Sequence, residues 1–139
     1  MQSKKELVEL LNSSQCSCVV ANEQTTLTFH ERGVKDLHRL LGDKSQPLNG
    51  AFIADKVVGK GAAALMIAGG ASWIYARVIS QAALTLFSNS NIEVEYEEIV
   101  PNIINRSGTD ICPVEKLCLK CSSIEECITA INSFLECVK

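Results

Sequence analysis

Residues 49–70, NGAFIADKVVGKGAAALMIAGG, decide the fold. Ala51, Phe52 and Ile53 make a short apolar approach, Asp55 stands where a helix N-cap belongs, and Gly69–Gly70 closes the helix that follows. Aspartate accepts hydrogen bonds from the free N–H groups of a first turn, and paired glycines end a helix at little cost. The spacing therefore predicts a helix over 55–69. Gly59 and Gly61 then fall inside it beside Ala62, Ala63 and Ala64, and each glycine costs about 1 kcal/mol relative to alanine. A helix that carries such residues needs another backbone close by, from a sheet or a ligand. The expectation is an α/β domain with a pocket near the start of this helix.

Working outward, the flanks alternate strand and helix. Upstream, Ser3-Lys4-Lys5-Glu6 has the spacing of a capping box, with Leu7, Leu10 and Leu11 as one apolar stripe. Cys16–Ala21 and Thr25–His30 read as two strands about a turn at Asn22–Gln24, because Leu27 and Phe29 alternate with Thr26 and Thr28. Arg32–Gly42 reads as a short helix. Downstream, Ser72–Val78 is apolar on both faces, which suits a central parallel strand. Ser80 can cap a helix that ends at Asn89–Asn91, and Ile92–Tyr96 reads as another strand. Pro113 fits the first position of a helix with Cys112 as its cap, and Ser123-Ile124-Glu125-Glu126 is a second capping box.

Composition excludes several classes. A chain of 139 residues suits one domain, 1–139, with no internal repeat or linker. A formal net charge of −3 gives no support to a nucleic-acid or anionic-membrane surface. Met1–Asn12 reads as a polar amphipathic helix rather than a leader peptide. The run Gly61–Ala76 falls short of the ~20 residues of a membrane span and is broken by glycines. Seven cysteines form no paired framework, so a reduced, cytoplasmic setting is expected.

Three helices are expected to begin just after strands, at Asp55, Ser80 and Cys112. In open α/β sheets, ligands bind in the crevice at the carboxyl ends of the strands, where helix N-termini offer free N–H groups. Asp55, Cys112 and Glu115 are the candidate catalytic groups; Lys60, Ser80, Asn105, Arg106 and Asp110 are the candidate ligand-binding groups. Cys112 beside Arg106 at a helix start could be a thiolate nucleophile, or a buried capping thiol. Asp55 and Glu115 could be paired carboxylates for acid–base work. Lys60 could meet a phosphate as a point charge, or be a solvated helix residue. A P-loop is rejected, since it wants glycine at position 54 and Ser or Thr at position 61, where the chain has Ala54 and Gly61. Cys118-Leu119-Lys120-Cys121 is a lone CxxC whose cysteines share the helical face of Val114 and Leu117, so core packing explains them without a metal.

Taken together, DKVVGKGAAAL, VIS-x-x-A, VPNIINRSGTDICPVE and the early ERGVKDL resemble an uncharacterised prokaryotic family, domain of unknown function number 1893, of the cytidine-deaminase-like fold group. The resemblance implies a three-layer α/β/α sandwich on a mixed sheet, with a homodimer as its assembly. It also places the helices after Asp55 and Ser80 where zinc deaminases carry their metal ligands. Those enzymes need a His or Cys ligand ahead of a catalytic Glu, then a Pro-Cys-x-x-Cys. Here the two places hold Val57, Val58, Gly59 and Lys60, and Ser80, Gln81, Ala82 and Ala83. His30 and His38 lie earlier and begin no such motif. Zinc-dependent deamination is rejected, and no metal or cofactor is expected.

The function expected is binding of a small, anionic, nucleotide-like ligand at the strand ends, with zinc-independent hydrolysis or group transfer as its enzymatic version. A non-catalytic sensor or interaction module is the rival, and a cysteine-ligated metal or redox protein the weaker third.

Overall fold

The computed structural model describes residues 2–31, 34–105 and 107–137 of the chain. Helix α1 (Lys4–Ser13) starts on the complete capping box, Ser3 with Glu6. Strands β1 (Cys18–Ala21) and β2 (Thr26–Phe29) form an antiparallel hairpin. Its turn is held by Asn22, whose side-chain oxygen accepts the N–H groups of Gln24 and Thr25 at 2.9 Å. Helix α2 (Lys35–Leu41) follows. Then β3 (Phe52–Val58), α3 (Lys60–Gly69) and β4 (Trp73–Ser80) make one strand–helix–strand unit, and α4 (Gln81–Ser88) leads to β5 (Glu93–Val100). Helices α5 (Pro113–Leu119) and α6 (Ile124–Cys137) complete the described chain.

The sheet is mixed, in the order β2-β1-β3-β4-β5. β3, β4 and β5 are parallel, while β1 runs antiparallel to both its neighbours. The period-two alternation of strands divides the apolar side chains. Val19, Ala21, Ala54, Trp73 and Tyr75 pack with Leu7 and Leu11 of α1. Val20, Ile53, Ile74 and Ala76 join the larger core, which takes in Leu37, Leu65, Phe87, Cys118, Cys127 and Ile131 from α2 to α6. Leu7 and Leu11 are wholly buried, and each contributes roughly 1.5–3 kcal/mol by leaving water.

The predicted helix over 55–69 is corrected at its start. Asp55 lies inside β3, opposite Cys18 of β1 and Ala76 of β4. Val57 and Val58, both β-branched, carry the strand on to the N-cap at Gly59. The far end is as predicted, with Gly70 at φ +84°. The close approach that Gly61 permits is to α5 and α6. A Cβ on Gly61 would stand 2.6 Å from Val114 Cγ1 and 3.3 Å from Ile131 Cδ1.

β5 runs further than the predicted Ile92–Tyr96, through Glu97 and Glu98, whose charge reads as loop but suits an exposed edge strand. Its glutamates at 93, 95 and 97 bond to Lys4, Trp73 and Tyr75 respectively. Tyr96 and Ile99 stay 44% and 41% exposed. The second capping box forms only in part. Ser123 Oγ accepts the Glu126 N–H at 3.1 Å, whereas the Glu126 carboxylate takes the N–H of Ser122.

Candidate functional site

Two carboxylates are buried in the larger half of the molecule, and they live differently. Glu115, in the first turn of α5, is 1% exposed. Its Oε1 accepts the Lys60 N–H at 2.8 Å and the Ser80 hydroxyl at 2.9 Å, and its Oε2 accepts the Ile103 N–H. Ser80 Oγ in turn accepts the Ala83 N–H at 3.2 Å, capping α4 as predicted. One carboxylate thus caps α3 directly and α4 through a hydroxyl. A helix N-terminus attracts an anion, and here the chain supplies its own. Gly59 leaves room for this arrangement: a Cβ there would lie 3.1 Å from Glu115 Oε1 and 3.2 Å from Ile103 Cγ1, so both side chains would have to give a little. A small, largely apolar crevice of about 80 Å³ lies alongside, lined in part by Gly59, Gly61, Ile103, Cys112 and Glu115.

Asp55 is 9% exposed and faces a different crevice, of about 250 Å³. Ser17 and Cys18 come to it from β1 and its approach, His30 and Glu31 from the end of β2, Asp36 from α2, and Lys56 from β3. Among the described residues, Val57 alone lines both crevices. Burial pushes the Asp55 carboxyl up to about 7; hydrogen bonds from the Val57 N–H, the Cys18 thiol and the Lys56 N–H pull the other way. The Val57 bond is long, at 3.3 Å. Burial, then the charge of Asp55, drives the Cys18 thiol well above its ordinary value, so Cys18 keeps its proton. The single Ser17 hydroxyl proton is shared between the carbonyls of Glu31, at 2.6 Å, and Phe29, at 3.2 Å. The crevice therefore offers a carboxyl poised to gain or lose a proton near neutrality, beside groups that are not activated nucleophiles.

The remaining candidates are dispersed. Lys60 Nζ donates to the Cys121 carbonyl at 2.7 Å, which binds α3 to the α5–α6 junction. Asn105 Oδ1 accepts the Ser107 hydroxyl and the Thr109 N–H, folding its loop on itself. Asp110 is exposed; hydrogen bonds from Lys116, then from the Ile111 N–H, hold its carboxyl below the usual range. Cys112 is half-buried at the N-cap of α5 and makes no capping bond through its side chain. Arg106 lies outside the described residues. So Ser80, Glu115 and the Lys60 main chain meet in one knot with Cys112 alongside, Asn105 and Asp110 sit in an exposed loop, and Asp55 stands apart. The proposed pairing of Asp55 with Glu115 is not what the structure places there.

Sequence reasoning set Lys56 beside Asp55 as a lining group but passed over Ser17, Cys18 and Asp36 as its companions. Reading Asp55 as a strand residue would have exposed them, because the β1–β3 register sets Cys18 opposite it. Among the described residues, no three His, Cys, Asp or Glu side chains are arranged to hold a metal ion. No helix of the described residues is long and apolar enough to cross a membrane.

No curated protein matches the chain. The crystal structure of a DUF1893 family protein, TM1506 from Thermotoga maritima, is similar to it at a TM-score of 0.85 and 26% identity, over 96% of this chain and 92% of that one. A family model, TM1506, described as a domain of unknown function, matches residues 6–135. With both the fold and nearly the whole sequence accounted for, the chain belongs to the DUF1893 family.

Proposed function

We propose that this DUF1893 domain is a zinc-independent, deaminase-like α/β/α sandwich that binds a small nucleotide-like ligand in the crevice around Asp55. The observation that carries the reading is a buried carboxyl, pushed up to about 7 and opening onto a space of about 250 Å³. A carboxyl in that state suits a ligand group that shares a proton with it, such as the amino-bearing edge of a nucleobase. Asp36 and Glu31 add negative charge to the rim, so a ligand phosphate would have to meet Lys56 and His30. Lys60, the cation first expected to hold an anion, is engaged with the Cys121 carbonyl. In support of zinc independence, α3 (KGAAALMIAG) and α4 (QAALTLFS) contain neither His nor Cys.

Binding without turnover is a second reading, favoured by the protonated Cys18 and the fully engaged Ser17. In the enzymatic reading, Asp55 acts as general base on a bound water, for hydrolysis or group transfer.

Thermal-shift titration with nucleosides, nucleotides and amino-substituted heterocycles tests the proposal. A ligand at a hundred times its Kd should stabilise the wild type by about 2.7 kcal/mol. Asp55→Asn should abolish that stabilisation, Lys56→Ala should weaken it for phosphorylated ligands only, and Lys60→Ala should leave it intact. Full stabilisation of Asp55→Asn would remove Asp55 from the site. Chromatography of the ligand after incubation separates turnover from binding.

A further inference from the structure

We infer that Asp36 of α2 is the second recognition carboxylate of the Asp55 crevice, and that it selects a heterocycle bearing an amino group beside a ring nitrogen over the matching oxo compound. The inference rests on the reading of that crevice as a ligand site. Asp55 and Asp36 reach the same space of about 250 Å³ from two elements, β3 and α2. The Asp36 side chain is only 15% exposed, and Arg39 holds its Oδ1 at 3.2 Å. Arg39 lies in turn over the Phe29 ring, 5.7 Å from its centroid, which anchors the clamp. Among the described residues, Asp36 Oδ2 receives no hydrogen bond.

The hydroxyl and main-chain donors of the wall are already spent. The Ser17 proton goes to the carbonyls of Glu31 and Phe29, the Lys56 N–H to the Ser17 carbonyl at 3.0 Å, and the Val57 N–H to Asp55 Oδ1 at 3.3 Å. His30 and the Lys56 side chain, the remaining donors, are the groups a ligand phosphate would meet. Between Asp55 and Asp36 the crevice therefore offers acceptors and the one acidic proton of Asp55. Burial, which pushes that carboxyl up to about 7, keeps the proton available.

An exocyclic amino group carries two protons. Asp55 donates its O–H to the ring nitrogen, and its other oxygen accepts the amino proton on the same side. The second amino proton points away from Asp55 and needs an acceptor of its own, which Asp36 supplies from α2. In the oxo compound the ring nitrogen carries the proton instead. Asp55 can turn its acid group around to meet that edge equally well, since it both donates and accepts. Asp36 cannot, because the oxo group turns a lone pair toward its carboxylate. Asp36 is thus the residue that tells the two apart.

The test titrates the full chain with two matched pairs, 4-aminopyrimidine against 4-pyrimidinone and adenosine against inosine, followed by ligand-detected NMR. The amino member of each pair should bind wild type about a hundredfold more tightly. Asp36→Asn presents either a carbonyl oxygen or an amide N–H, so it should bring the members of each pair to similar affinity by strengthening the oxo one. Asp36→Ala should weaken the amino members about tenfold. The affinity ratio is the readout that a purely structural role for Asp36 would not move, and two variants guard against one failing to fold. Equal binding of both members by wild type, or an unchanged ratio in Asp36→Asn while Asp55→Asn abolishes binding, overturns the assignment of Asp36 and leaves the Asp55 crevice standing as a site. If none of the four compounds binds wild type at millimolar concentration, both the crevice reading and this inference fall.

Discussion

Glu115 and Asp55 are both buried carboxylates on the helix-rich side of the sheet, yet the chain provides for them unequally. Glu115 receives three donors, two of them main-chain N–H groups that no other part of their own elements satisfies. Asp55 is given one long main-chain bond at 3.3 Å, a weak thiol donor and the Lys56 N–H, and it lies at the wall of an open crevice. A buried polar group costs free energy unless it is bonded, so the first carboxylate holds the fold together and the second strains it. A buried group that lowers stability is a reasonable place to look for function.

The comparison would break most visibly at Glu115. Glu115→Ala leaves the Lys60 and Ile103 N–H groups buried and unpaired, and frees Ser80. The expected loss is on the order of 4 kcal/mol, from one to three for each orphaned donor. Denaturant titration measures it, and a loss under about 1 kcal/mol would mean that water or a rearranged loop replaces the carboxylate.

Asp55→Asn should move stability in the opposite direction, and only above acidic pH. With a folded-state value of about 7 against an ordinary 3.8, the folded chain keeps the proton that the unfolded chain loses. Below about pH 4 both states hold it and Asp55 costs nothing. As pH rises from there to 7, stability falls; above 7 the penalty is constant. The variant should therefore match wild type at pH 4 and exceed it at pH 8, by roughly 3 kcal/mol, with a ceiling of about 1.4 kcal/mol per pH unit of displacement. Denaturation curves across that range check the slope. A variant less stable than wild type at pH 8 would show Asp55 to be a second Glu115.

The smallest expected change sharpens the Glu115 side. Gly61→Ala places a methyl 2.6 Å from Val114 Cγ1, and α5 must back away from α3 to admit it. A loss of about 1–2 kcal/mol is expected, as for overpacking elsewhere. Combined with Glu115→Ala, the two losses should be less than additive, because both loosen the same contact.

The two regions were also unequally legible. Local signals survived into the structure: the Ser3 and Ser80 caps, the Asn22 hairpin turn, the Gly69–Gly70 stop and Pro113 at the start of α5. Each is decided by neighbours within a few residues. Asp55 misled because an aspartate ahead of a small-residue run looks the same as a cap and as the middle of a strand. Its place was settled by pairing with Cys18, a partner far back in the chain. Glu115 was picked out for its charge, but its task lies in a bond to a main-chain N–H fifty-five positions earlier, which no periodicity announces. The missing side-chain cap on α3 was the available clue: a helix start without its own acceptor must borrow one.

The glutamates of β5 have a consequence for how the molecule behaves in a crowd. β5 is the last strand of its sheet, and no further strand of the described residues pairs with its outer edge, where Tyr96 and Ile99 are exposed. Such an edge is a template for strand addition and fibril growth. Glu93, Glu95, Glu97 and Glu98 set negative charge along it, so a second β5 laid antiparallel would bring like charges face to face. Replacing Glu98 and Ile99 with threonine and valine would keep the strand while thinning that charge. The resulting chain should fold as before but gel or form fibres at concentrations where its parent stays clear.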